Sequence, residues 1–434
     1  MIEYPPNIES LSLPVNIFDM DKVTLEQINA LVDNYSYWSD VKYKKIHGIE
    51  NNKSLWTIIK AIRATKTIDV YPPYGLKFSP TNEMMRLCHV FDMKFGGAWE
   101  SESIIPKENQ KRYLIGSIIE EAISSSQMEG ASTTRKIAKE MLRKNISPKD
   151  KSQRMIYNNF QTINYLSAHT DTSLSVDFIL NIHSLITDST LSNPEDSGRF
   201  RTNNEVVVVN DLTNEVVHIP PSYEEIPDAI EWLVAFANNE NDTVFIHPII
   251  KAIIIHFFIS YLHPFVDGNG RTARALFHWY MLKSGYWLTE YMSISRIIYK
   301  SKTAYEKSFL WTEADSNDIG YFITYHLRAL GKAFDELKMY ISRKTAQQND
   351  QNKFLRIGNI SQRQAEILYM MLKDENRIIT VKDVSSRLLV TPTTAKHDIV
   401  GLVDNGLLSE IALNRQKKGY IRGPKYLEKI ESVY

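Results

Sequence analysis

HPFVDGNGRTAR, residues 263–274, is the stretch on which the reading of this chain turns. Gly268-Asn269-Gly270 places two conformationally free residues around one that tolerates the left-handed region. Such a turn points successive backbone N–H groups inward and makes an anion-binding concavity. The residues that follow, RTARALFHWYMLK, have helical character, so the concavity sits on a helix N-terminus, where the dipole also favours anions. Arg271 and Arg274 are three apart and leave one helical face together, which suits two phosphates better than one. Asp267 stands just before the turn, and a carboxylate beside bound phosphates is a usual way to hold Mg2+. His263 ends an apolar stretch and meets the loop through Pro264. An imidazole titrates near neutral pH and can take a proton from an incoming hydroxyl. Phe265, apolar in a polar loop, is expected to support it from beneath. A base, a metal site and a seat for a phosphate chain together predict transfer of part of a nucleotide.

The same twelve residues resemble the signature of the Fic family, H-P-F-x-D/E-G-N-G-R-x-x-R, and match it at every specified position. The resemblance implies a protein adenylyltransferase, which moves AMP from ATP to a Ser, Thr or Tyr hydroxyl of a target protein and releases pyrophosphate. By motif position, His263 would be the general base and Asp267 the Mg2+ ligand. Gly268, Asn269 and Gly270 would cradle the phosphates, Arg271 would bind those near the reacting one, and Arg274 would bind the γ-phosphate.

A second stretch gains meaning from the first. SSSQMEG, residues 124–130, contains Ser125-x-x-x-Glu129-Gly130, which resembles the family's inhibitory motif, S/T-x-x-x-E-G/N, placed N-terminal to the core. A glutamate set against Arg274 would form a charge-assisted pair and keep the guanidinium from the γ-phosphate. Ser125, four residues earlier, shares its helical face and would fix the helix by hydrogen bonding. In some relatives the same glutamate positions a water that removes AMP, so AMP removal stays open.

Around these motifs most segments carry helical periodicity. Helices are predicted over 118–142, 176–187, 226–238, 249–262, 271–284 and 317–343, and in the N-terminal part over 55–62 and 82–95. Glu205–Asn210 and Glu215–Ile219 are β-branched runs joined by a four-residue turn, a hairpin signal. In the Fic reading this hairpin is a flap that aligns the target segment by strand addition, through Val206, Val207, Val208, Val217, His218 and Ile219. Ser197-Gly198-Arg199-Phe200-Arg201 precedes it, the order seen in many Fic proteins. His247 opens the helix that leads to His263 and is expected to be structural. Trp38, Trp56, Trp99 and the Tyr-Pro-Pro-Tyr run at 71–74 are expected to pack on the core.

After Arg343 the composition shifts, and TAQQNDQNK reads as a linker or a helix end. Beyond it, helical stretches at 361–372, 380–389 and 391–405 precede short apolar runs at 407–413 and 419–421, the order of a winged helix-turn-helix. Lys353–Tyr434 carries 14 Lys+Arg against 9 Asp+Glu, a net +5. Thr393, Thr394, Lys396 and His397 would lie on the recognition helix, with Arg415, Lys417 and Lys418 on the wing near phosphates. DNA binding and protein contact both stay open for this unit.

The bulk numbers set bounds. The chain has 434 residues, 43% of them hydrophobic, enough for packed cores. Lys+Arg and Asp+Glu are equal at 51 each, so overall charge names no partner. One cysteine, Cys88, allows no internal disulfide and reads as a small core residue. The N-terminus lacks the basic start and apolar core of a secretory signal, and the run Ala252–Leu262 is too short to span a bilayer. A soluble, cytoplasmic protein is expected, with no membrane partner.

The expectation is therefore a mainly α protein. A segment at 1–107 packs on a Fic helical core at 108–343 with a β-hairpin flap, and a small winged-helix unit follows at 353–434. Its ligands would be ATP and Mg2+, and its partner a target protein; a homodimer stays open. The competing reading is a DNA-binding regulator whose Fic core only senses nucleotide, and a third keeps the chemistry with another donor.

Overall fold

The computed structural model describes the chain apart from residues 1, 9–19, 96–109, 211–212, 241–243, 359, 373, 375–376, 389, 415–416 and 432–434. Trp99 and Arg415 thus lie outside the described residues. The chain divides into two compact units, Met1–Leu337 and Lys338–Tyr434. Helices dominate both, and among the described residues the named strands form three two-stranded antiparallel hairpins. Among the described residues no helix is long and apolar enough to cross a membrane.

The centre of the first unit is the helix Pro248–Leu262. It is apolar on every face, and the fold accordingly buries it on almost every face, including His256. Pro248 occupies its first turn, and His247 caps it by accepting a hydrogen bond from Ile249 N at 3.4 Å while Nε2 meets Asp92 at 3.0 Å. His247 is thus structural, as expected. The helix Asn269–Lys283 packs against this one, and Val176–Thr187 and Lys151–Ser167 pack beside it. Their starts are capped as the sequence dictates: Ser175 accepts from Phe178 N and Asp150 from Gln153 N.

The N-terminal segment is part of this unit rather than an appendage. Tyr71 packs on Trp232 with ring centroids 4.6 Å apart, and Tyr74 packs on Phe258 at 6.2 Å. Trp56 is buried, and Lys60 bridges Asp315 at 2.8 Å and Asp318 at 3.2 Å. Cys88 is buried.

One expectation is corrected. The span 118–142 is not one helix: Gln110–Met128 ends, and Arg135–Arg143 begins anew. Gly130 takes φ +87°, Ala131 N reaches back to Ser126 O at 3.0 Å, and Thr134 caps the next helix. The glycine after Glu129 is what stops the helix there. Of the two readings of Thr345–Lys353, linker or helix end, the second holds: the helix Gly320–Leu355 runs through it and ends two residues beyond. Without Gly or Pro, nothing in it breaks a helix.

In the second unit, helices Gln362–Leu372, Val381–Leu388 and Pro392–Asp404 surround a core that includes Leu368, Val384, Ile399 and Leu402. Strands Leu408–Ala412 and Lys418–Arg422 form its hairpin, and Ile379 bridges to Tyr420. Thr393, Lys396 and His397 are exposed.

Candidate active site

His263 closes the buried helix in a left-handed conformation, φ 49° and ψ 56°. Pro264 cannot continue the helix, so the chain turns off into the loop. His263 Nδ1 lies 3.1 Å from Ser260 O. A carbonyl only accepts, so Nδ1 carries the proton and Nε2 keeps its lone pair. Burial pushes the His263 imidazole down to about 4, against the pull of the bond to Ser260. The ring is therefore neutral at physiological pH, with one basic nitrogen. Arg201, itself buried, holds this turn: its N donates to Pro264 O and its Nε to His263 O, each at 2.9 Å.

The loop beyond is braced from within. Asn269 Oδ1 accepts from Phe265 N at 2.9 Å and its Nδ2 donates to Phe265 O at 2.8 Å. The Asn269 side chain is thus spent on shaping the loop, and what it leaves for an anion is its main-chain N–H, as a backbone nest would have it. Phe265 is fully buried and stacks on His183, with ring centroids 3.7 Å apart and planes 3° from parallel. His183 Nε2 donates to Asp267 O at 2.8 Å, and its Nδ1 accepts from Gly198 N at 3.0 Å. One imidazole thus joins the loop to the Ser197–Arg201 stretch. Burial holds His183 down near 4, so it stays the neutral tautomer these two bonds require. Sequence reading missed His183; it is one more polar residue among the apolar positions of its helix.

Gly268 has φ +86°, and a Cβ there would lie 2.8 Å from Thr187 Cγ2. Here only glycine fits. The first intrahelical bond of the next helix is Thr272 N to Gly268 O at 2.9 Å, so the N–H groups of Asn269, Gly270 and Arg271 face outward from its N-terminus. Arg271 is buried, with Nη1 on Ile186 O at 3.2 Å and Nη2 on Asp267 Oδ1 at 3.4 Å. Among the described residues its Nε has no hydrogen-bond partner. A buried cation short of one acceptor is suited to an anion. The Asp267 carboxylate is half exposed; Gly268 N also donates to its Oδ1.

Arg274 is occupied by the chain itself. Its Nε donates to Ser125 Oγ at 2.9 Å, and its Nη2 donates to Ser125 O at 2.9 Å and to Glu129 Oε1 at 2.8 Å. Ser125 therefore acts on the arginine directly, with hydroxyl and carbonyl both, rather than by fixing its own helix. Burial opposes the charge on Arg274 most strongly, but Glu129, Tyr305 and Glu121 together outweigh it and the pKa is raised. Tyr305, buried nearby, bonds His256 Nε2 at 3.1 Å. The helix that bears Ser125 and ends just before Glu129 is held at another point by Glu121, a buried carboxylate that accepts from Ser295 N and Ser293 Oγ at 3.0 Å each. Burial raises the Glu121 pKa against those bonds.

The hairpin is shorter than expected: Val208–Val209 pairs with Val216–His218 across an irregular register. Val207, Val209, Val216 and Ile219 are exposed, an apolar margin on a two-stranded edge, while Val206, Val208 and Val217 are half-buried. His218 departs from the docking role. Its ring turns inward, with Nδ1 3.0 Å from Glu313 Oε2 and Nε2 2.7 Å from Tyr261 O. It fastens the hairpin to the body.

Comparison with known proteins gives a consistent placement. Residues 173–281 match the model of the Fic/DOC family. The protein adenylyltransferase fic-1 of Caenorhabditis elegans is 34% identical over 129 residues, which cover 29% of this chain and 23% of that protein. The protein adenylyltransferase Fic of Nematostella vectensis is 28% identical over 167 residues, covering 38% of this chain and 34% of that protein. The matched region is thus about a third or less of each relative's length. A Fic family protein from Desulfovibrio desulfuricans G20 shares the fold, with a TM-score of 0.51 over 80% of this chain and 98% of that one, at 15% identity.

Proposed function

We propose that this chain, a member of the Fic/DOC family through its residues 173–281, is an autoinhibited protein adenylyltransferase. It moves AMP from ATP to a Ser, Thr or Tyr hydroxyl of a target protein and, when released, onto itself. The observation that carries the reading is the Glu129 carboxylate on Arg274, over the N-terminal turn of the helix Asn269–Lys283. A fixed anion occupies a seat suited to phosphate, within the same site as a neutral histidine with a free Nε2.

In the reaction, the target hydroxyl oxygen bonds to the α-phosphorus and the bond from that phosphorus to the β-bridging oxygen breaks. Pyrophosphate leaves, and the hydroxyl proton passes to His263 Nε2. The hydrogen bond from Nδ1 to Ser260 O steadies the imidazolium that forms. Arg271, whose buried Nε lacks an acceptor, and the outward N–H groups of Asn269 and Gly270 suit the phosphate oxygens. The half-exposed Asp267 carboxylate fits a Mg2+ ion held chiefly by substrate phosphates and water, and would hold it there. Such an ion would neutralise phosphate charge. The exposed apolar margin of the hairpin suits an extended target segment added as a strand.

The C-terminal unit reads as a winged helix, supported by its helix order, its hairpin and the Ile379–Tyr420 bridge. Its partner class is tested by binding to duplex DNA over a range of salt. A steep loss with salt would support contact with DNA phosphates, and no binding at low salt would assign the unit to protein contacts.

The activity is tested with ATP labelled at the α-phosphate. Label bound to protein in Glu129→Gly, little in the wild type and none in Glu129→Gly/His263→Ala would establish transfer, brake and base together. Equal labelling by wild type and Glu129→Gly would remove the brake. No label in any of them, with ATP still bound, would leave another donor or a nucleotide-sensing regulator.

A further inference from the structure

A cavity of about 810 Å3 lies in the first unit between the N-terminal helices and the helices Ile294–Lys300, Lys302–Ala314 and Gly320–Leu355. None of its walls belongs to the phosphate cradle. Its size falls within the roughly 300–1,000 Å3 range of small-molecule sites. It forms because two helices each present one face: Ala304, Lys307, Ser308 and Trp311 recur at helical spacing, as do Tyr321, Thr324, Tyr325 and Arg328.

The lining is unbalanced in charge. Lys44, Lys307, Arg328 and Lys332 stand against one carboxylate, Asp40, in a chain with 51 charges of each sign. None of the four cations lies within ion-pair distance of a carboxylate among the described residues; Arg328 bonds only the neutral Asn34, at 3.0 Å to Oδ1. A concavity lined by one sign concentrates the opposite sign. The lining is also aromatic. The Tyr43 ring is largely exposed at the margin, and Trp311 and Tyr325 are half-buried. In the wall, Thr324 is 5% exposed and its Oγ1 has no hydrogen-bond partner. A buried hydroxyl without a partner costs free energy unless something supplies one.

We propose that this cavity is a second ligand site, separate from the phosphate cradle, for a phosphorylated small molecule that carries an aromatic ring and is the size of a mononucleotide. The cations meet the phosphate, the rings stack on the ring, and the hydroxyl takes a polar edge. Neither adenosine alone nor an anion without a ring matches the whole lining.

The test uses the full chain and 8-azido-AMP as a photoaffinity probe, with the labelled peptides mapped. Labelled peptides from 31–44 or 297–332 are expected in the wild type. Labelling there should fall at least tenfold in Lys307→Ala/Lys332→Ala and persist in Lys307→Arg/Lys332→Arg. Both lysines are exposed, so the variants should keep the fold, which a melting curve checks. Competition by UMP and phenyl phosphate, with little by adenosine, would support the assignment. Label confined to peptides around 263–274, labelling insensitive to the double alanine variant, or competition only by an acidic peptide would each overturn it.

Discussion

A Cβ built on Gly270 would lie 2.3 Å from Glu129 Oε1. The carboxylate therefore fills the space directly beside the first turn of the helix Asn269–Lys283, while it also accepts from Arg274. Under the proposed function, carboxylate and terminal phosphate would compete for one seat. ATP with Mg2+ should accordingly stabilise Glu129→Gly more than the wild type. Tenfold tighter binding corresponds to about 1.4 kcal/mol at saturating nucleotide. Thermal melts with and without nucleotide check this, and equal shifts in both proteins would refute the competition.

Ser125→Ala removes the acceptor of Arg274 Nε but leaves the Ser125 carbonyl and Glu129 in place. One hydrogen bond of this kind is worth about 1 kcal/mol. Self-labelling from ATP should rise roughly fivefold by that measure, well short of Glu129→Gly. A rate equal to that of Glu129→Gly would mean that the serine, and not the glutamate, holds the arginine.

Burial depresses His263 to about 4, so the base stays neutral over a wide range. In the Glu129→Gly background, initial rates should be flat in this group from about pH 5 upward. They should fall tenfold for each pH step of one below about 4, where the ring takes its proton. A rate that falls already between pH 7 and 6 would show that another group governs the step.

The same depression has a consequence for stability. His183, His263 and His278 lie near 4 and His326 near 3, all through burial. Below the ordinary value of 6.5 the unfolded chain binds protons at these rings that the fold refuses. Stability is therefore fully present above about 6.5 and is lost as pH falls toward 4. Each ring still held neutral costs about 1.4 kcal/mol for every tenfold rise in proton concentration over that range. Melting temperatures across pH 7.5 to 4.5 should fall accordingly, and His183→Gln should fall less steeply than the wild type.

His183→Leu keeps the apolar stack on Phe265 but loses the bonds to Asp267 O and Gly198 N. The loop should shift, and a shift of about 1 Å would cost about 100-fold in kcat. Measured in the Glu129→Gly background, the pH profile should stay that of His263, because His183 positions the loop and takes no proton. A changed profile would make it a second base.

Much of this was legible in the sequence because the chemistry is local. The twelve residues 263–274 carry the histidine, the nest and both arginines in one run, whereas the helix end at Gly130 is lost when 118–142 is read as one helix. What else escaped was tertiary. His183 and Arg201 work through partners 62 to 84 residues away, which no spacing rule reaches. His218 sat in a β-branched run that predicts an outward edge, and a Glu313 carboxylate 95 residues on turned it inward. The polar stretch 345–353 left linker and helix end open, because polar composition alone does not stop a helix.

Glu129 and Arg274 belong to one compact unit of one chain. Inhibition of this kind does not dilute. A brake supplied by a separate partner would slip as concentrations fell and would demand matched expression; a tethered carboxylate keeps the same effective concentration in every molecule, from a single copy to abundance. Under the proposed function, dosage would therefore not release the activity, and release would come from a force on the helix Gln110–Met128 or from a change at the Glu129 carboxylate itself.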